Sequence, residues 1–350
     1  MKKKMVLCTP IGDKRLEEIR SYCDITISGE LKYGRGNVVP EVLKQECEGH
    51  EVVVLGDEVA DGEMLRAWAA SGMKFLGCAK GTPTTVDISA LKELGLDLSY
   101  TPGRNAVSVA EFTIGLMLSV TRSIGRSYYG LRVGEHVGEK NDNPYDVPDT
   151  KNVIWGPLDE THPIIHYGVG FELHGHVLGV AGFGAIGSKL AELAKAFGME
   201  ILVYDPFVAN EKIIASGYSP VTLDEMLSNS DIVSIHIPVL AETKGIVNRS
   251  WFEKMKPSAY LINTARAAVI DQKDLVEALK NGTIHGAAID VYWQEPIPAN
   301  HPLLSMERVL LTPHIAGITS DVDGWSGELM AQDILAYLKG EPRTHLWKIK

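Results

Sequence analysis

The sequence predicts an α/β protein with parallel, doubly wound sheets arranged in two successive blocks. Three observations lead there. Short apolar runs alternate with amphipathic stretches of helical period, as βαβ units require. The runs fall into two groups, at 5–8, 25–28, 52–55, 75–78 and 96–100, and then at 177–181, 201–204, 232–237, 259–263, 287–291 and 309–311. The first run of the second group opens directly onto glycines spaced Gly-x-Gly-x-x-Gly. With 350 residues, each group is long enough to bury a core of its own.

Helix signals punctuate these runs. Ser108 with Glu111 three residues later reads as a capping box, and so does Ser250 with Glu253. The glycine triplet leads into a helix over 188–197. Asp271 opens a helix carrying Leu275, Val276 and Leu279, which Asn281-Gly282 closes. A last helix is expected over 321–338, with Leu329, Met330, Ile334, Leu335 and Leu338 on one side. Residues 135–170 fit neither period and are rich in Gly, Pro, Asp, Asn and His. A segment of that length without a pattern points to a functional or interfacial role. Its aromatic residues Tyr145, Trp155 and Tyr167, with Phe171 just beyond, suggest a subunit interface or the mouth of a cleft.

Composition narrows the function. The formal net charge is −11, which repels phosphate backbones and makes nucleic acid a poor partner. No apolar run approaches the ~20 residues of a membrane span. The lysines after Met1 are followed by too short an apolar stretch for a secretory leader. The four cysteines, Cys8, Cys23, Cys47 and Cys78, form no close pair, and Cys8 and Cys78 sit in strand-like runs, so buried free thiols and a reducing, cytoplasmic setting are expected.

Gly182-Phe183-Gly184-Ala185-Ile186-Gly187 is the strongest single motif. It follows a strand and opens a helix, the context in which these glycines serve a dinucleotide. Gly182 permits the tight turn, Gly184 lets backbone approach a pyrophosphate, and Gly187 lets helix and strand pack closely. The helix amides then face the phosphates. The next strand ends at Asp205, eighteen residues past Gly187 (205 − 187 = 18). A carboxylate there accepts the ribose hydroxyls of NAD and repels the extra phosphate of NADP, and Pro206-Phe207 offer that phosphate no arginine.

Three later strand ends carry chemistry suited to hydride transfer. Arg266 presents a planar fork of donors for a carboxylate. His314 can exchange a proton with a carbonyl oxygen. Glu295 would stabilise the imidazolium. In a doubly wound sheet, ligands bind beyond the carboxyl ends of the strands, so the three groups should converge.

At these residues the chain resembles the D-isomer-specific 2-hydroxyacid dehydrogenases. The matching segments are Thr101-Pro102-Gly103-Arg104-Asn105 with Val109-Ala110-Glu111, the glycine motif, Ile235-His236-Ile237-Pro238, Asn263-Thr264-Ala265-Arg266, residues 290–296 and residues 312–317. They cover most of the chain from about residue 75 onward. The resemblance implies a Rossmann NAD-binding domain, 107–319, inserted into a flavodoxin-like substrate domain formed by 1–106 and 320–350. It makes Arg266, Glu295 and His314 the catalytic groups and Asp290 a ligand of the nicotinamide carboxamide. It adds Val109, Pro238, Thr243, Thr264, Ala265 and Gly317 to the cofactor contacts. The turn at Lys80, Gly81 and Thr82 would meet the substrate, with Arg266 and His314. The implied reaction interconverts a small 2-keto acid and its D-2-hydroxy acid in a homodimer.

Three departures bear on the substrate. Ala267 follows the arginine where relatives usually have Gly, Lys80 precedes Gly81 where many have Arg or an aliphatic residue, and residues 135–170 are longer than usual. Glu295 argues against the formate dehydrogenase branch, which carries Gln. Oxidation of a non-carboxylate anion such as phosphite, kept open by Lys80, and a non-enzymatic NAD-sensing corepressor are the alternatives. His162, His166, His174 and His176 cluster at spacings a metal could use. With no Cys or regular acidic pattern beside them, they are expected to be solvent-exposed or interfacial, and no metal is expected.

Overall fold

The computed structural model describes residues 2–137, 142, 143, 145 and 162–348. The chain divides into two compact units, Met1–Ser108 with Gly317–Lys350, and Val109–Ala316.

The first unit is built on five parallel strands: β1 (Lys3–Leu7), β2 (Cys23–Ile27), β3 (Val52–Leu55), β4 (Phe75–Cys78) and β5 (Leu98–Tyr100). Their order is β2-β1-β3-β4-β5, the flavodoxin-like winding. Alternate side chains enter opposite cores, because successive residues of a strand point to opposite faces. Val6, Val53, Leu55 and Leu76 pack with Leu43, Leu65 and Trp68 on one face. Met5, Leu7, Val52, Val54 and Phe75 pack on the other with Ile19 and with Met330, Ile334 and Leu335 of the final helix, Ser320–Lys339. Because both faces are covered, β3 and β4 read as continuous apolar runs, whereas the edge strand β2 keeps Asp24 and Thr26 exposed. All four cysteines are buried and unpaired.

Among its described residues the second unit holds seven strands: β6 (Val177–Ala181), β7 (Glu200–Tyr204), β8 (Ser219–Pro220), β9 (Ile232–Ile235), β10 (Tyr260–Asn263), β11 (Gly286–Ile289) and β12 (Val309–Leu311). The order β12-β11-β10-β9-β6-β7-β8 reverses direction at β6, which makes the crevice between β6 and β9 the switch point of a Rossmann sheet. Helices Ala106–Thr121 and Ala185–Ala196 contribute Met117, Leu190 and Ala191 to one face. Met226, Trp251, Phe252 and Leu275 cover the other. No single helix among the described residues is long and apolar enough to cross a membrane. Ala106–Thr121 and Ile124–Val133 reach that length only together, across a 65° bend.

Several local readings change. Ser108 lies inside helix Ala106–Thr121 and its hydroxyl meets that of Thr319 at 3.0 Å, so it caps nothing. Asn248, not Ser250, caps helix Arg249–Phe252, its side chain accepting the Ser250 amide. The capping box lies instead at Thr222 and Glu225, ahead of helix Leu223–Asn229. The helix after the glycine motif begins three residues early, at Ala185. Asp271 does cap helix Gln272–Lys280, taking two amides, and Gly282 follows at φ +68. Strand β8, two residues long, carries no run that sequence could reveal. Most of residues 135–170, including Trp155, lies outside the described residues; of the other aromatics behind the interface expectation, Tyr145 is exposed.

Candidate active site

The glycine motif sits where β6 ends at the switch point. Gly182 takes φ +98, and a Cβ there would lie 2.6 Å from the His236 carbonyl oxygen at the end of β9. A Cβ on Gly187 would lie 2.1 Å from the Gly182 carbonyl oxygen. Both positions therefore exclude any side chain. Gly184 caps the helix Ala185–Ala196, leaving the amides of Ala185 and Ile186 in its open first turn. Phe183 is buried, and its amide donates to Asp205 Oδ2 at 2.7 Å. Asp205 Oδ1 accepts from Phe207 at 2.9 Å. Each carboxylate oxygen thus retains a lone pair able to accept a further hydrogen bond.

The far side of the crevice is tied together locally. Thr243 is buried, donates to the Pro238 carbonyl at 2.6 Å and accepts the Leu240 amide at 2.7 Å. His236 bonds Ser234 through Nε2 at 2.9 Å, and its Nδ1 is shut off from solvent with no partner among the described residues. Burial pushes that imidazole down to about 4, so it stays neutral. Thr113 Oγ1, which donates to the Val109 carbonyl, meets Thr264 Oγ1 at 3.1 Å and fixes the end of β10 against helix Ala106–Thr121.

Beyond β11 and β12 lies the paired imidazole. His314 Nδ1 is 2.7 Å from Glu295 Oε2, and the Tyr292 amide donates to Glu295 Oε1 at 3.0 Å. Partial burial pushes the Glu295 carboxyl up. The hydrogen bonds from His314 and the Tyr292 amide, with the charges of His314 and Arg266, outweigh that and hold it below the usual carboxylate range. His314 takes φ +57, a left-handed conformation that a residue with a Cβ adopts at a cost. Asp290 holds it there. Its carboxylate is fully buried, takes the Thr312 hydroxyl at 2.6 Å and the Ile315 amide at 3.0 Å on Oδ1, and the Ala316 amide at 2.9 Å on Oδ2. Tyr292 adds a bond from its hydroxyl to the Thr312 carbonyl at 2.8 Å.

Arg266 is exposed at the end of β10, its Nη1 donating to the Ala265 carbonyl at 2.7 Å. Asn263 shapes that turn, accepting the Ala265 amide at 3.0 Å and donating to the Arg266 carbonyl at 3.1 Å. Ala267 is buried directly after it. The roles of Asn263, Tyr292 and Thr312 were missed by the sequence reading. Asn263 and Tyr292 bond to backbone and Thr312 to a carboxylate 22 residues away, and residue type alone does not announce such bonds.

Lys80, Gly81, Thr82 and Gly317 belong to the other compact unit. Lys80 Nζ lies 3.2 Å from Asp57 Oδ1, and Asp57 also faces Arg35 at 3.3 Å. Of the four clustered histidines, His162 accepts the Ile164 amide as a helix cap, and His176 stacks on Phe171.

A phosphate-accepting turn at the switch point, with a carboxylate-backed imidazole and a guanidinium at neighbouring strand ends, is the equipment of a dinucleotide-dependent oxidoreductase. Residues 164–316 match the model of the D-isomer specific 2-hydroxyacid dehydrogenase NAD binding domain. The chain is 34% identical over 339 residues to a glyoxylate reductase of Thermofilum pendens, covering 97% of this chain and 92% of that one. It is 32% identical over 341 residues to a D-3-phosphoglycerate dehydrogenase of Archaeoglobus fulgidus, of which it spans 58%. The fold matches the NAD-complexed D-isomer specific 2-hydroxyacid dehydrogenase of Lactobacillus delbrueckii ssp. bulgaricus with a TM-score of 0.76, at 22% identity, over 99% of this chain and 100% of that one. The chain belongs to the D-isomer specific 2-hydroxyacid dehydrogenase family, whose cofactor is NAD.

Proposed function

We propose that the protein interconverts a small 2-keto acid and its D-2-hydroxy acid with NAD. The observation that carries this reading is the 2.7 Å His314–Glu295 pair, with the charge of Arg266 close enough to act on the same carboxylate. In the reducing direction, NADH supplies hydride to the keto carbon and His314 gives its proton to the keto oxygen. Glu295 orients the ring and stabilises its charged form. Arg266 binds the carboxylate, which fixes the carbonyl relative to the hydride donor. Asp205 accepts the adenosine ribose and sets NAD above NADP. Lys80, Gly81 and Thr82 supply substrate contacts, with the unit that carries them acting as substrate domain and Val109–Ala316 as cofactor domain.

The experiment is a panel of glyoxylate, pyruvate, hydroxypyruvate and larger 2-keto acids, each followed at the NADH absorbance with NADPH in parallel. At least one acid should turn over, and NADH should be strongly preferred. No turnover with any acid would remove the reaction, and equal use of NADPH would remove the role given to Asp205.

We also propose a cytoplasmic homodimer formed through the second unit. Helix Ile124–Val133 exposes Ile124, Tyr128, Tyr129, Leu131 and Val133, each more than half accessible, and Ile164, Ile165 and Val169 do the same nearby in sequence to the next helix. A patch of that kind marks a contact surface. Sedimentation at the mass of one chain would refute it.

A further inference from the structure

Glu135, His136 and His166 take no part in the site above. Each offers one atom able to ligate a metal, and these atoms all lie within 4.8 Å of one another. His166 Nε2 is 3.5 Å from Glu135 Oε2, and the His136 and His166 rings meet edge to face with centroids 4.7 Å apart.

The backbone brings them there from two directions. Gly134 ends helix Ile124–Val133 at φ +97, and the Glu135 amide returns to the Gly130 carbonyl at 2.8 Å, folding the chain back over the helix end. His136 continues in the left-handed region at φ +54. His166 comes from helix Pro163–Tyr167, whose end is tied to the first helix by the Ser123 hydroxyl on the Tyr167 carbonyl at 3.0 Å and by Arg126 over the Tyr167 ring.

The spacing suits a metal. A tetrahedral Zn²⁺ with bonds near about 2.1 Å holds its donors about 3.4 Å apart. The 3.5 Å between Glu135 and His166 is that separation. The third donor lies no farther than 4.8 Å from the other two. An ion pair joins Glu135 to His166, and packing of the His136 ring on the His166 and Tyr167 rings places the second imidazole within reach of both. Two imidazoles with one carboxylate suit zinc and its transition-metal neighbours, whereas calcium and magnesium take oxygen ligands.

We propose that Glu135, His136 and His166 bind one divalent cation of the zinc class, with water in the fourth position. Its role is structural. His166 and Tyr167 line a cavity of about 660 Å³ with Tyr260 and Val309, at the amino ends of β10 and β12. His314 and Glu295 follow the opposite, carboxyl ends of the strands. A metal here joins residues 135–136 to residue 166 and binds only when both are folded, so it stabilises the folded chain.

Untagged full-length protein, stripped with chelator, is titrated with Zn²⁺ by calorimetry and with Co²⁺ by visible absorption, and its melting temperature is read with and without Zn²⁺. One zinc per chain should bind and raise the melting temperature. His136→Ala, His166→Ala and Glu135→Gln should each weaken binding by at least roughly tenfold, since even losing a neighbour of a metal ligand costs that much. His174→Ala and His314→Ala should bind as the unaltered chain does. Absence of saturable binding would overturn the proposal. So would binding indifferent to all three substitutions, or binding lost in His314→Ala. Glu135→Gln keeps side-chain shape at an exposed position, so its result stands even where a histidine variant folds poorly.

Discussion

Replacing Asp290 by Asn tests how the His314 loop is held. The carboxylate is fully buried and takes three donors, Thr312 Oγ1 at 2.6 Å, Ile315 N at 3.0 Å and Ala316 N at 2.9 Å. Asparagine has one acceptor oxygen. Placed on the Thr312 and Ile315 side, it turns its NH₂ toward the Ala316 amide, donor against donor. The loss is one hydrogen bond to a charged group, about 1.5–3 kcal/mol, and a buried amide left without an acceptor, about 1–3 kcal/mol. Removing the buried charge returns some desolvation energy, but a carboxylate with three donors has already offset most of that cost. We expect a net loss of roughly 2–4 kcal/mol, which for a unit of this size lowers the melting temperature by roughly 5–15 °C. Turnover should fall further than stability alone explains, because Ile315 and Ala316 set the left-handed backbone of His314. A displacement of about 1 Å there costs roughly a hundredfold. The assays are calorimetric unfolding and steady-state kinetics on the best acid of the panel. Thr312→Val removes a single donor to that carboxylate and should lose about 1.5–3 kcal/mol with milder kinetic effect. A variant with unchanged melting temperature and unchanged kcat would refute this account. A rise in the NADH KM alone would instead assign Asp290 to the nicotinamide.

Two further outcomes follow from named contacts, and a third from the proposed chemistry. His314→Ala should lower kcat by roughly two to four decades, measured on the same acid, and a smaller loss would take proton transfer away from His314. Lys80→Ala should raise KM more than it lowers kcat, and more for acids with a second anionic group than for pyruvate. Identical kinetics across the panel, with a stability change under about 1 kcal/mol, would leave Lys80 as the partner of Asp57 only. Glu46→Gln should destabilise the chain near neutral pH and progressively less in acid. Partial burial pushes the Glu46 carboxyl up, but hydrogen bonds from Lys32, Ser28 and Tyr33 outweigh it and bring it from 4.5 to about 2. A group lowered on folding stabilises above its unfolded value and loses that contribution as pH falls toward its folded value. The difference in urea midpoint between the two proteins should therefore shrink below about pH 4.5, and a constant difference would contradict the assignment.

Much of this protein is written locally in its sequence. Strands β3, β4, β6 and β12 match their apolar runs residue for residue; for β3, β4 and β6 the reason is that a parallel strand covered on both faces must be apolar throughout. The glycine motif is equally legible, since Gly182 and Gly187 stand where a Cβ would collide with backbone. Asp205 follows from the same local unit. Helix starts were less certain: Ser108, Ser250, Asn248 and Thr222 are all capable caps, and which of them acts depends on where the backbone turns.

Tertiary structure alone decided the rest. Asp290 binds amides 25 and 26 residues away, and Glu135 meets His166 from another helix. None of these pairs repeats at a period of 2 or 3.6, so none leaves a pattern in the chain. A hydrogen-bonding side chain shows in sequence only that it needs a partner. The fold chooses which one, by bringing distant backbone and side chains within about 3 Å of each other.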